Sequence, residues 1–432
     1  MSKLFSVPRG MKDTEPEEMS RRIWIKDKIL DVLRSYGFRA IEPTPIENLE
    51  TLEAKSGPQI KEEIYWFKDK GSRDLGLRFD LTVGITRMVA NRFDLPEPIK
   101  LCAIADVFRY DEPQFARYRH IYQWDAEIFG STDPLADAEA ICAGIDVLDT
   151  LGLRDYEIRI SNRKLIEPFL RKTGVDSSKL DRVLIAVDKS SKIGREKVIN
   201  ELQAIGVSEK ATTQILDFCS LKGDPETVLS ELSSRIGEAP EMEHGMSELH
   251  KLRDILQGFR KLDRCIYDFG IVRGIGYYDG IVFEAYDRSV EGLGSVFGGG
   301  RYDGLCGIYG KRTMPATGLA GGIERLMLSL EQAGLYPKLK KTPEIFVVAV
   351  NAEMQPKVWE IVAKLRSAGI ETDFDLKGRS LQGQLQYADS MDVPYAVIVG
   401  PREVEKGLLT LRQMESRKEE SLSIEQLIAR VS

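Results

Sequence analysis

Apolar residues follow different rhythms along the chain, and the changes of rhythm mark its parts. From about Glu17 to Tyr36, Ile25, Ile29, Val32, Leu33 and Tyr36 recur at i, i+4, i+7, i+8 and i+11, which is one face of a helix, with Gly37 suited to stop it. The next stretch, FRAIEPTPIE, is short and broken by Pro43 and Pro45, which predicts an edge strand or an extended arm. Between Leu75 and Gly130 the pattern reads strand (LGLRFDL), helix (TVGITRMVANRF), strand (KLCAIADVFRY), polar loop (DEPQFARYR) and strand (HIYQWDAEIFG). The last two strands make a hairpin with a long mobile tip carrying Pro113, Arg117 and Arg119.

From about Leu165 to Leu252 the chain turns to helical periodicity rich in Lys, Glu and Ser, which predicts an inserted helical module. Strand patterns return at IVRGIGYYDGIVFEAY and ATGLAGGIERLMLSL, the latter passing into a helix with Ile323, Leu326, Met327 and Leu330 on one side. GLYPKLKKTPE has linker composition. After Pro343, apolar strands (IFVVAV, IETDFD, YAVIVG) alternate with helices (KVWEIVAKLRSAG, SLQGQLQYADSMD), the pattern of a small α/β domain of about 90 residues.

Composition narrows the classes of function. At 432 residues the chain calls for two or three domains, and with 42% hydrophobic and 30% charged residues it reads as a soluble globular protein. No apolar run approaches a membrane span and the N-terminus lacks the apolar core of a secretory signal, so a cytoplasmic protein is expected. Cys102, Cys142, Cys219, Cys265 and Cys306 stand singly, as buried small hydrophobes do, and His120, His244 and His250 are not at ligand spacing from them, which argues against structural zinc. A net charge of −7 argues against a general nucleic-acid coat while allowing a local basic surface.

Candidate chemistry gathers in three places. In VFRYDEPQFARYRHIYQWDAEIFG, strand alternation puts Arg109 and Asp111 on one face, and Gln123, Asp125 and Glu127 on one face of the return strand. Such groups are costly to bury unless they meet a ligand or each other, so the stretch is either a platform for a polar, anionic substrate or a cross-strand ion pair of Arg109 with Glu127. In GLAGGIERLML, glycines precede a helix and Arg325 projects from its first turn. SVFGGGRYDGL and IVRGIGYYDGIVFEAY set glycines where strands normally carry side chains. The triple glycine is not a P-loop, since no G-K-[ST] follows, so the pair is either a floor for something small or merely two neighbouring strands.

These segments together resemble a known family. FRYDEPQFARYRHIYQWDAE is similar to motif 2 and TGLAGGIERLML to motif 3 of the class II aminoacyl-tRNA synthetases, and VRGIGYYDGIVFE with FGGGRYDGL resembles the two peptides that mark the histidyl-tRNA synthetases. PRGMKD and LRFDLT fit the same family, and the tail resembles its anticodon-binding domain. The resemblance implies an α+β catalytic domain on an antiparallel sheet flanked by helices, the class II synthetase fold, with a helical insertion and a C-terminal α/β anticodon-binding domain. The expected boundaries are 1–164 and 253–334 for the two catalytic parts, 165–252 for the insertion and 343–432 for the tail. It implies activation of histidine by ATP, with Mg2+ carried on the nucleotide, transfer to tRNA(His), and a homodimer joined through the N-terminal helix and arm.

By the same resemblance, Arg109 would hold the α-phosphate, Arg325 the γ-phosphate and Asp111 the adenine amino group, with Arg117 near the phosphates and Arg273 as an extra cation at the α-phosphate. Asp80, Thr82 and Gln123 would take the α-ammonium group, and Glu127 with Tyr277 and Tyr278 the imidazole; Arg109 and Arg273 would also border the bound histidine. Asp80 and Asp111 stand where the family usually has glutamate, Ile121 where a phenylalanine stacks on adenine, and Gly276 where an acidic residue is common. The competing expectation is a non-catalytic, histidine-binding regulatory subunit of ATP phosphoribosyltransferase. Such paralogues lack the anticodon domain and lose the ATP arginines, whereas here Arg109, Arg273 and Arg325 are kept with about 90 residues beyond the linker.

Overall fold

The computed structural model describes residues 5–112, 118–188, 194–236, 239–272, 278–337 and 342–431. The chain divides into two compact units, Met1–Thr14 with Arg21–Tyr336, and Glu15–Ser20 with Pro337–Ser432.

The larger unit is organised by a nine-stranded sheet. In chain order its strands are β1 (Arg39–Ala40), β5 (Ile99–Phe108), β6 (His120–Phe129), β7 (Tyr156–Asn162), β8 (Lys222–Gly223), β9 (Cys265–Asp268), β10 (Ile281–Asp287), β11 (Ser295–Arg301) and β12 (Ala316–Gly322), and β2 (Ile46–Asn48), β3 (Trp66–Lys68) and β4 (Asp74–Leu77) form a separate small sheet. The large sheet runs β1-β5-β6-β12-β11-β10-β7-β9-β8, and from β5 to β7 every neighbour is antiparallel. β1 pairs in parallel with β5 at the edge and stops before Pro43 and Pro45.

Alternation along β6 decides what each face does. Trp124, Ala126 and Ile128 point into the main core, where they meet Ile25, Ile29 and Leu33 of the helix Pro16–Ser35, Ile141, Ile145 and Leu148 of Pro134–Thr150, and Leu326 and Leu330 of Ile323–Gln332. Burying each such aliphatic side chain stabilises the fold by about 1.5–3 kcal/mol, so the helix layer anchors the sheet firmly. The helix Pro16–Ser35 ends where the apolar rhythm does: Gly37 takes φ +79°, and the N–H groups of Gly37 and Phe38 close onto Arg34 and Leu33 carbonyls. The other face of β6 carries Gln123, Asp125 and Glu127, the second of the two rhythms in that strand.

Among the described residues, the segment from Arg163 to Gly258 is helical apart from β8, which adds to the sheet edge beside β9. In the smaller unit, β13 (Ile345–Ala349), β14 (Thr372–Phe374), β15 (Tyr395–Val399), β16 (Leu409–Gln413) and β17 (Glu419–Leu422) form a sheet of order β14-β13-β15-β16-β17. Ile345, Val347 and Ala349 pack with the helix Gln355–Ser367, and Phe346 and Val348 with the helix Leu381–Ser390. The sequence pattern anticipates the parallel part; the antiparallel hairpin β16–β17 escapes it because only Leu409 and Leu411 are buried there, amid exposed polar residues.

Candidate active site

The site grows from the register of three strands. Gln123, Asp125 and Glu127 of β6 lie opposite Ala105, Ala103 and Leu101 of β5 on one side and Gly322, Ala320 and Gly318 of β12 on the other. Apart from Leu101, the residues flanking the polar ones are glycine or alanine, so the middle of the sheet is a trough floored by carboxylates and an amide. An open pocket of ≈ 450 Å³, part of it open to solvent, sits over it, bordered by Asp80, Thr82, Arg109, Gln123, Glu127 and Tyr278 together with Tyr302 and Gly318.

Glu127 is 1% exposed and accepts a hydrogen bond from the hydroxyl of Tyr302, itself buried. The carboxylate fits only because residue 318 is glycine: a Cβ there would lie 1.6 Å from Glu127 Oε2. Tyr302 stands edge-on to Tyr278, with ring centroids 6.4 Å apart. Gly300 on β11 leaves room for that second ring, since its Cβ would come 3.0 Å from Tyr278 Cδ1. The triple glycine thus admits a wall of the pocket, and the arginine after it is structural. Arg301 is 1% exposed and pairs with buried Asp137 at 2.5 Å, and its Nη1 donates to the Ser131 carbonyl.

Arg109 donates from Nη2 to Gln123 Oε1 at 3.0 Å and from Nε to the Phe79 carbonyl at 3.0 Å. Gln123 Nε2 donates to Asp125 Oδ1 at 2.9 Å, and Thr82 Oγ1 to Asp125 Oδ2 at 3.1 Å. Asp80 accepts from the Val83 N–H at 3.0 Å, closing the first turn of the helix Thr82–Ala90 at the pocket rim. The cross-strand ion pair of Arg109 with Glu127 does not form. Arg109 lies beyond the end of β5 and its N–H pairs with Arg119 O, while Glu127 sits opposite Leu101, most of the strand length away.

Other expected residues lie apart from this pocket. β5 ends at Phe108, so Asp111 does not share a strand face with Arg109; its carbonyl is held by Arg119 Nε at 2.7 Å. Arg325 is in the first turn of the helix Ile323–Gln332 and donates to the Ser295 carbonyl at 2.6 Å. Its neighbour Glu324 is buried, pairs with Arg22 at 3.4 Å and accepts the Tyr122 N–H at 3.0 and 3.2 Å. Burial raises the Glu324 carboxyl above its usual range, and the contacts with Tyr122 and Arg22 oppose that rise. Arg117, Arg273, Gly276 and Tyr277 lie outside the described residues. Among the described residues no three His, Cys, Asp or Glu side chains gather to hold a metal ion.

Sequence reasoning missed Tyr302 and Gly318 and gave Asp125 no role. Tyr302 sits within the quoted FGGGRYDGL, and its place opposite Glu127 depends on a strand pairing that sequence spacing does not contain. A second and larger cleft, ≈ 1340 Å³, opens beside the first and shares Tyr278 with it; its lining is charge-balanced, with Arg163, Lys164, Arg171 and Lys172 set against Glu167, Asp181, Glu241 and Asp279.

A sequence model described as histidyl-tRNA synthetase matches residues 10–326, and one described as anticodon binding domain matches 344–432. A histidine–tRNA ligase of Pyrococcus horikoshii is 39% identical over 425 residues, covering 98% of this chain and 97% of its own. One of Thermococcus kodakarensis is 36% identical, covering 100% and 99%. The crystal structure of a histidyl-tRNA synthetase from Nostoc superposes with a TM-score of 0.84 at 29% identity, over 100% of this chain and 99% of that one. A Bacillus halodurans structure titled ATP phosphoribosyltransferase regulatory subunit/histidyl-tRNA synthetase superposes with a TM-score of 0.78 at 22% identity, covering 93% of this chain and 100% of that one, a likeness of fold alone.

Proposed function

The chain belongs to the histidyl-tRNA synthetase family and is an ATP-using histidine–tRNA ligase of class II fold, and on that premise we propose that the trough over β6 is the seat of histidine. Full-length likeness to ligases, anticodon-binding domain included, disfavours the regulatory subunit. The observation that carries the seat is Glu127, a carboxylate buried on a sheet face, hydroxyl-bonded by Tyr302 and given room by Gly318. An imidazole N–H donates to such an acceptor, and Tyr278, with Tyr277 from the family resemblance, reads the rest of the ring. Gln123, Thr82 and Asp80 then receive the α-ammonium group, and the carboxylate of histidine is left facing Arg109.

In this reading a carboxylate oxygen of histidine attacks the α-phosphorus of ATP, an O–P bond forms, the bond from that phosphorus to the bridging oxygen breaks, and pyrophosphate leaves. No general base is required, because the nucleophile is already ionised. Arg109 stabilises charge growing on the α-phosphoryl oxygens, with Arg273 as its partner by resemblance, and Arg325 and Arg117 hold the rest of the polyphosphate, whose oxygens suit the fork of guanidinium donors. Asp111 takes the adenine amino group. Magnesium arrives as part of the MgATP substrate. In the second step a ribose hydroxyl of tRNA attacks the activated carbonyl and AMP departs.

The homodimer and the cytoplasm complete this proposal. Ile46 and Phe67 are exposed on one face of the small sheet β2-β4-β3, with half-buried Leu75 and Leu77 between them, an apolar patch of the kind a second copy covers. No helix of the described residues is long and apolar enough to cross a membrane. Pyrophosphate exchange measured with each of the twenty amino acids tests the pocket assignment: histidine alone should support exchange, and exchange with a residue that cannot donate a ring N–H would remove Glu127 from its role.

A further inference from the structure

We propose that Asp125 is a positioning residue that fixes Gln123 and Thr82 as acceptors, so that the α-ammonium group of histidine always meets oxygen lone pairs. The inference rests on the reading in which those two side chains receive the ammonium. Asp125 is 0% exposed and lies beneath the pocket rather than in its lining, with Ala103 and Ala320 beside it on the neighbouring strands.

A glutamine amide by itself is two-faced, because its carbonyl and amino ends are almost the same size and exchange by a half-turn. Here the two ends have opposite neighbours. Gln123 Nε2 meets Asp125 Oδ1 at 2.9 Å, and Gln123 Oε1 meets Arg109 Nη2 at 3.0 Å. An ionised carboxylate only accepts and a guanidinium only donates, so a flipped amide would put acceptor against acceptor and donor against donor. In a buried network each mismatch leaves polar groups unpaired, which is where such errors are most costly. Oε1 therefore stays turned toward Arg109 and the pocket, with a second lone pair for the ammonium.

The same carboxylate acts on Thr82. That hydroxyl donates its proton to Asp125 Oδ2 at 3.1 Å, leaving its lone pairs toward the pocket it lines. One buried anion thus sets the polarity of two groups on different elements, β6 and the helix Thr82–Ala90. An ammonium group, with three donors and no acceptor, needs that polarity and no other.

The test uses the full-length protein and two ligands that differ in the groups at issue. Histidinol keeps the ammonium and imidazole but lacks the carboxylate; imidazolepropionate keeps the imidazole and carboxylate but lacks the ammonium. Asp125→Asn preserves size and lets the amide of Gln123 point either way. It should weaken histidinol roughly 10- to 100-fold by calorimetry while leaving imidazolepropionate within about threefold. The exchanged pair Gln123→Glu with Asp125→Asn removes the need for orientation, since both outer oxygens of residue 123 then accept, and should bind histidinol within about threefold of the parent. Equal loss of both ligands in Asp125→Asn, no loss of either, or an exchanged pair as weak as the single variant would each overturn the inference, and the exchanged pair still decides it if Asp125→Asn fails to fold. Gln123→Ala separates this from the underlying reading. If it weakens histidinol alone while Asp125→Asn does not, Gln123 receives the ammonium without Asp125's help; if it spares histidinol, the ammonium lies elsewhere and the inference falls with the reading.

Discussion

Gly318→Ala should cripple histidine recognition through one added methyl group. Gly318 is not at positive φ, so alanine suits its backbone conformation and the effect is steric. The new Cβ would lie 1.6 Å from Glu127 Oε2, 2.6 Å from its Cδ and 2.7 Å from the Ala126 carbonyl. To reach ordinary contact near 3.5 Å, the carboxylate oxygen must withdraw by about 1.9 Å. That is enough to break its hydrogen bond from Tyr302 and move it off the imidazole. Losing a hydrogen bond to a charged group costs about 1.5–3 kcal/mol, so kcat/KM for histidine in pyrophosphate exchange should fall roughly 10- to 150-fold. Overpacking the sheet should separately lower stability by about 1–3 kcal/mol, read by denaturant unfolding. The KM for ATP should stay put, because Arg109 and Arg325 do not touch the glycine. Gly322→Ala on the same strand, with nothing within 4 Å of the new Cβ, is the matched control. A folded Gly318→Ala enzyme with histidine kinetics within about twofold of the parent would mean that Glu127 does not read the ring.

Glu127→Gln keeps the packing but offers an amide donor where the ring needs an acceptor; it should melt near the parent temperature and lose histidine activation by about 2–3 kcal/mol, whereas a fall in melting temperature with unchanged histidine kinetics would mark a purely structural carboxylate. Arg109→Ala and Arg325→Ala should each cost adenylate formation about 2–4 kcal/mol in the transition state, and near-normal exchange in both would remove the phosphate clamp. Deleting residues from Pro343 onward should spare histidine activation and impair tRNA charging, because the C-terminal sheet has cores of its own; equal loss of both activities in a folded fragment would contradict this. Sedimentation at micromolar concentration should give a dimer, and a monomer would leave the apolar patch of the small sheet without the proposed partner.

What was legible in the sequence followed from local rules. The helix Pro16–Ser35 could be read because Ile25, Ile29 and Leu33 repeat on one face and glycine ends it, and β6 because its two alternating sets differ so sharply, Trp124 and Ala126 against Asp125 and Glu127. The pocket members Asp80, Thr82, Arg109, Gln123, Glu127 and Tyr278 were named from charge pattern and resemblance together, and the fold brings these six around one space. What could not be read depends on register. Nothing in the spacing of TGLAGG says that Gly318 will face Glu127, or that Tyr302 will reach across β12 to it, since a shift of one residue in β12 would exchange every side chain between core and pocket. The hairpin β16–β17 was missed for a related reason: an edge pair shows too little buried alternation to declare itself.

The arrangement of charge along the trough shows how, in the proposed reading, recognition and chemistry could share one sheet face. Asp125 and Glu127 make the inner end acidic, while Arg109, past the end of β5, makes the outer end cationic. Histidine carries the matching order, a proton-donating ring and an ammonium group at one side and a carboxylate at the other. Reversing the molecule would press its carboxylate against Glu127, above the buried Asp125, and its ring against a guanidinium, and like charges held that close repel. In the proposed reading the gradient orients the amino acid before ATP is in place, with the nucleophilic oxygens turned to the end of the trough that Arg109 borders. Transition-state stabilisation would then fall, on that reading, to a group that holds still, because Arg109 is already tied to Phe79 O and Gln123 through hydrogen bonds and need not reorganise as charge moves onto the phosphoryl oxygens.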